Sequence, residues 1–119
     1  MNRYELVRMF VLSDISDDYE EPEHISSNVR ERAGICGMEV QVDDIRNSLH
    51  DLVESGLAKA YRLTVDPPEV FQGMPPIDQF LNYYFWITEK GLETLSSKRD
   101  QWPLDEEDVL LPGWSPPPE

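Results

Sequence analysis

Basic residues are scarce in this chain. Ten Lys and Arg stand against 24 Asp and Glu in 119 residues, a formal charge of −14. That balance favours solubility and repels polyanions, so DNA and an anionic membrane face are disfavoured as partners. Cysteine is nearly absent. Cys36 stands alone, which excludes an internal disulfide and fits a reducing compartment. No apolar run approaches the roughly 20 residues that a spanning helix needs. The opening MNRYELVRMF is interrupted by Glu5 and Arg8 and lacks a signal-peptide pattern. The expectation is a cytoplasmic protein with no membrane partner.

The chemistry of familiar sites is missing too. His24, His50 and Cys36 have no metal-ligand spacing, and neither CxxC nor HExxH occurs. There is no glycine-rich phosphate loop. The acidic run Asp14 to Glu23 fails as a calcium loop, because Tyr19 stands where glycine is needed and Ile25 where a bidentate glutamate is needed. Carboxylates are so numerous that pairs arise by chance, and none stands out as a general acid with its base. No catalytic residue, metal or cofactor is expected, and the chain does not read as an enzyme. Cys36 reads as a small buried hydrophobe, since a reactive thiol wants a cation close by.

What is present centres on Val42 to Leu63, VDDIRNSLHDLVESGLAKAYRL. At about 100° per residue, Val42, Ile45, Leu49, Leu52 and Val53 fall in one arc facing a core. The opposite arc carries Asp43, Asp44, Asn47, Asp51 and Glu54. Arg46 lies at its edge, and His50 adds a partial charge. Asp43 and Asp44 suit the positive end of the helix dipole. Gly56 is placed to end the helix in a left-handed residue, and a strand follows at once.

Before this stretch, Asn2 to Ser13 reads as a helix with Leu6, Val7, Phe10 and Val11 on one wide face. That face serves either the core or, in part, a dimer contact. Asp14 to Glu23 reads as a solvated acidic loop. Ser26 or Ser27 is a candidate cap for a short helix, Asn28 to Ala33, ending at Gly34. Ile35 to Gln41 is then the turn, with Ile35, Met38 and Val40 pointing inward.

After it, Leu57 to Val65 reads as a strand with Leu57, Lys59, Tyr61 and Leu63 on one face and Ala58, Ala60 and Arg62 on the other. Asp66 to Phe80 reads as a long hairpin tip, where prolines stop the pairing. Leu81 to Thr88 returns as the aromatic partner strand. Thr88 is the expected cap of a helix from Glu89 to Arg99, with Leu92 and Leu95 inward. From Gln101 the chain mixes an acidic block with Trp102, Leu104, Val109, Leu110, Leu111 and Trp114 and ends in prolines. It lacks the means to build its own core. Residues 1–100 are therefore expected as one domain and 101–119 as a tail, partly docked through Trp102 or Trp114, or disordered.

Two stretches carry a resemblance. LHDLVESGLAKAYRL, Leu49 to Leu63, looks like the helix-to-strand junction of bacterial winged-helix regulators. YYFWITEKGLETL, Tyr83 to Leu95, looks like the segment closing the wing in PadR-like and MarR-like transcription regulators. Over residues 3 to 99 the chain resembles a winged helix, an α+β fold with a three-helix helix–turn–helix core, a two-stranded wing hairpin and a C-terminal helix. The resemblance implies a recognition-helix face of Asp43, Asp44, Arg46, Asn47, His50, Asp51 and Glu54, and a wing tip from Asp66 to Phe80.

Charge opposes the DNA role that the resemblance implies. The recognition face offers four carboxylates, and the wing tip has no Lys or Arg. Phosphate contacts come mostly from Arg, Lys and backbone amides, and without them base contacts lose their register. Apolar residues at the tip, among them Val70, Phe71 and Met74, fit a protein contact or packing back on the sheet. The expected function is a non-catalytic regulatory or protein-interaction module with a protein partner. The alternative is a DNA-binding regulator in which a homodimer juxtaposes the scattered Arg and Lys, with operator binding resting on Arg30, Arg32 and Arg46. An acidic mimic of DNA, directed at a basic partner, is a third.

Overall fold

The computed structural model describes residues 1–62, 68–76, 79 and 82–118. Its first helix, α1, runs Arg3–Asp14. Asn2 caps it, the side-chain oxygen accepting from the Glu5 N–H at 2.8 Å. Leu6, Val7, Met9, Phe10, Val11 and Leu12 are all buried, because three other helices pack around α1. The wide apolar face is therefore consumed within the chain.

The second helix, α2, spans Pro22–Ile35. It begins six residues before the expected Asn28, and Ser26 and Ser27 lie inside it. Pro22 is the reason. At the first helical position a proline loses no hydrogen bond and its φ is already set. The acidic loop shortens accordingly, and Glu23 joins the first turn of α2. Ile25, Val29 and Ala33 face the core. Ile35 is 42 % exposed rather than inward, whereas Met38 and Val40 are buried as expected.

The third helix, α3, covers Val42–Glu54, the expected bounds. Ile45, Leu49 and Leu52 are buried, with Ser48 between them. Val42 is 47 % exposed although its angle places it in the apolar arc. It is the first residue of the helix, ahead of the buried positions. The far end closes as foreseen. Gly56 has φ +79°, the Gly56 N–H reaches the Val53 oxygen at 3.1 Å, and the Leu57 N–H reaches the Leu52 oxygen at 2.8 Å. This paired closure uses two carbonyls that the helix leaves unmet, and only a residue at ease at positive φ supports it cheaply.

Among the described residues the sheet has three antiparallel strands, not two. They are β1 (Ala58–Arg62), β2 (Glu69–Phe71) and β3 (Tyr84–Ile87), in the order β2-β1-β3. The expected hairpin tip thus contains a strand of its own, pairing Tyr61 with Val70. On its other side Tyr61 pairs with Tyr84. Leu63, Thr64, Val65, Asp66, Pro67, Ile77, Asp78, Phe80 and Leu81, expected to be strand ends or tip, lie outside the described residues. Ala58, Ala60, Phe85 and Ile87 form the buried face. On the outer edge of β3, Glu20 and Phe85 exchange both backbone hydrogen bonds, at 3.0 and 2.9 Å.

The last helix, α4, spans Glu89–Ser97 and is capped by Thr88, whose hydroxyl accepts from the Gly91 N–H at 3.1 Å. The same hydroxyl donates to the Gly56 carbonyl at 2.7 Å, tying α4 to the end of α3. Leu92 is 45 % exposed, against the expectation that it faces inward. Gly91 takes the inward position. A β-carbon there would collide with the Leu57 carbonyl oxygen and the Ile87 side chain. Leu95 does pack against the core. A 3-10 turn, Arg99–Gln101, follows. Beyond it Trp102 packs edge-on to Phe10, Leu104 is buried, and Trp114 rests on the margin of the core.

Among the described residues the molecule is thus a small α+β fold, four helices with a three-stranded antiparallel sheet. Among the described residues no helix is long and apolar enough to cross a membrane.

Candidate functional site

The outward side of α3 is the first candidate surface, and its charges are organised locally. The Asp44 carboxylate accepts from the Gln41 N–H at 2.9 Å, the reciprocal arm of a helix-start cap. The Arg3 guanidinium lies 3.5 Å from the same oxygen and donates to the Glu39 carbonyl at 2.6 Å. Asp44 is therefore turned toward the start of α1 and is not free to meet a partner. Asp43 is the most open of the group, its side chain 82 % exposed and 3.5 Å from Arg46. His50 sits 3.3 Å from Glu54 and 3.8 Å from Asp51. Asn47 is exposed beside them. Asp43, Arg46, Asn47, His50, Asp51 and Glu54 thus share one side of one helix. The Arg46 guanidinium and the His50 ring lie against carboxylates of the same helix.

The wing residues divide. Val70 is 38 % exposed. Phe71 turns back to meet Tyr83 edge-on with ring centroids 5.0 Å apart, and Met74 packs against the core. Arg62 lies over the other partner of that pair, 5.6 Å from the Tyr83 ring centre. Sequence periodicity had no means of separating Val70 from Phe71, because the strand that alternates them is only three residues long, and Met74 lies beyond it.

Several basic side chains elsewhere are also engaged. Arg32 is 3.9 Å from Asp108, and Lys98 is 3.9 Å from Glu5. Lys90 donates to the Ser55 carbonyl at 3.0 Å. Arg8 lies over the Tyr4 ring.

Two groups lie at the junction of α1, α2 and the C-terminal segment: Asp14, which the sequence did not single out, and Cys36, buried as expected. Asp14 ends α1 and is half-buried. Asn28 donates to its Oδ1 at 3.0 Å, while Oδ2 is buried without a hydrogen-bond partner. Burial raises its pKa to about 6, with Glu20 adding repulsion and Asn28 opposing the rise. Cys36 is buried nearby, and burial followed by the charge of Asp108 pushes its thiol up to about 11. A thiol held protonated is a poor nucleophile, which suits a packing role. Among the described residues no group of three or more His, Cys, Asp and Glu is arranged to hold a metal ion. No signal in the sequence marked Asp14 apart from its acidic neighbours, since burial is set by the longer α2 and by the tail.

No protein-family model, curated protein or solved structure significantly matches this chain.

Proposed function

We propose that this chain is a winged helix–turn–helix module that acts by contacting protein and does not grip DNA. Its role is regulatory or adaptor-like and non-catalytic. The winged-helix reading is supported by the order of parts. A helix, α2, turns through Cys36 to Gln41 into α3, and α3 runs directly into an antiparallel sheet, with α4 closing behind it. The observation that carries the functional half is the solvent side of α3. Its exposed residues are Asp43, Asn47, His50 and Glu54, with Asp51 half-buried beside them, and its one guanidinium, Arg46, is 3.5 Å from Asp43. A helix entering a major groove needs cations to hold it on the phosphates.

The test is a mobility-shift titration of the full chain at low salt against random and genomic duplexes. No retention is expected up to tens of micromolar. Salt-sensitive binding at micromolar protein, lost in Arg30→Ala, Arg32→Ala and Arg46→Ala variants that remain folded, would establish the dimeric DNA-binding alternative instead.

A further inference from the structure

The segment after α4 leaves a cleft that nothing else in the described fold fills. It has a volume of about 380 Å3 and opens between the end of α4, the 3-10 turn and the chain beyond Trp102. That volume is in the range of pockets that hold a compact ligand or one or two large side chains. Its floor is apolar, made by Leu95, Trp102 and Leu104, with Leu111, 39 % exposed, at its mouth. The floor is also firm. Trp102 is held edge-on against the fully buried Phe10, and Leu104 is only 4 % exposed.

The rim is acidic. Asp100, Asp105 and Glu106 line it, with Arg99 the one cation among the lining residues. Asp105 is fixed in place, its Oδ1 accepting from the backbone N–H groups of Glu107 at 2.8 Å and Val109 at 3.0 Å. The Leu111 N–H returns to the Pro103 carbonyl at 2.8 Å and closes the turn. Val109 and Leu110 flank the cleft in sequence and stay open to solvent at 54 % and 37 %.

An apolar floor inside an acidic rim is the complement of a large apolar side chain flanked by Lys or Arg. Charge selects among occupants. A second copy would bring a further −14 to the rim, and nucleic acid or an anionic membrane would be repelled in the same way. We propose that this cleft is the docking site for a basic amphipathic segment of a partner protein. One bulky apolar side chain seats against Trp102 and Leu111, and flanking cations meet Asp100, Asp105 and Glu106. The cleft lies apart from the α3 face and does not depend on what that face meets.

The test uses the full 15N-labelled chain and three synthetic probes of equal length: a leucine–lysine amphipathic peptide, its leucine–glutamate counterpart and an all-lysine peptide. The leucine–lysine probe is expected to bind at low salt, with shifts centred on Leu95, Trp102, Leu104 and Leu111. Leu111→Lys should weaken it at least tenfold, and Asp43→Asn with Asp51→Asn on α3 should leave it unchanged. Glu106→Lys, at an exposed rim position, should weaken it severalfold and decides the matter if Leu111→Lys fails to fold. Absence of binding, equal binding of the all-lysine peptide, or shifts centred on α3 would overturn the proposal.

Discussion

Trp102 stands edge-on to Phe10, ring centroids 5.2 Å apart and planes at 77°, so the segment after α4 is anchored on the most buried face of α1. Such aromatic pairs contribute about 1 kcal/mol beyond the area they bury. Trp102 is half-buried, so Trp102→Ala should lose roughly 2 kcal/mol, below the range for a fully buried tryptophan. Urea denaturation measures this, and Trp102→Phe should recover at least half of it. A loss under about 0.5 kcal/mol would mean that the segment contributes little packing to the domain.

Gly91 leads to a second expectation. Alanine usually strengthens a helix interior by up to about 1 kcal/mol over glycine. Here its methyl group would meet the Leu57 carbonyl, a backbone atom fixed by the Thr88 N–H at 3.0 Å, along with the Ile87 side chain. Overpacking against backbone outweighs propensity, so Gly91→Ala should destabilise the chain by about 2 kcal/mol. A thermal or urea midpoint equal to or above that of the parent would contradict the close approach of α4 to Leu57.

Asp14 makes stability depend on pH in the less common direction. Its pKa rises on folding from the ordinary 3.8 to about 6, chiefly through burial. Between those values the native state binds the proton and the unfolded chain does not. Stability from this residue is therefore full below about pH 4 and lost as pH rises through about 6. Asp14→Asn keeps an oxygen for the Asn28 donor and removes the charge. The variant should match the parent near pH 4 and exceed it by about 1 kcal/mol at pH 7.5, a figure reduced for the residue's partial exposure. Urea midpoints across that range test it, and a constant difference at every pH would refute it.

Much of this fold was legible in sequence where one local rule governed a whole element. The bounds of α3 followed from its apolar arc and from Gly56, and the start of α4 followed from Thr88. Failures came where tertiary geometry decided. Leu92 and Gly91 are neighbours, and periodicity favours burying the leucine. The contact with Leu57 leaves no room for a side chain, so glycine takes the inner place and Leu92 faces water. The start of α2 was masked by its acidic surroundings, although Pro22 is a recognisable first residue. The strand β2 was hidden among prolines that read as breakers. Of the candidate surface, the acidic side of α3 could be listed residue by residue, but the diversion of Asp44 toward Arg3 joins chain segments too distant for any pattern to reveal. The cleft beside α4 needed the tail's path, which hydrophobic content alone does not give.

The double backbone pairing of Glu20 with Phe85 also bears on how this protein behaves in a crowd. An open sheet margin is an invitation for a foreign chain to align and extend it into a fibril. Here one margin is already occupied by the molecule's own acidic connection, and the other is β2, a ledge of three residues bordered by Pro68 and carrying Glu69. With so short and negatively charged a template, templated self-association has almost nowhere to begin.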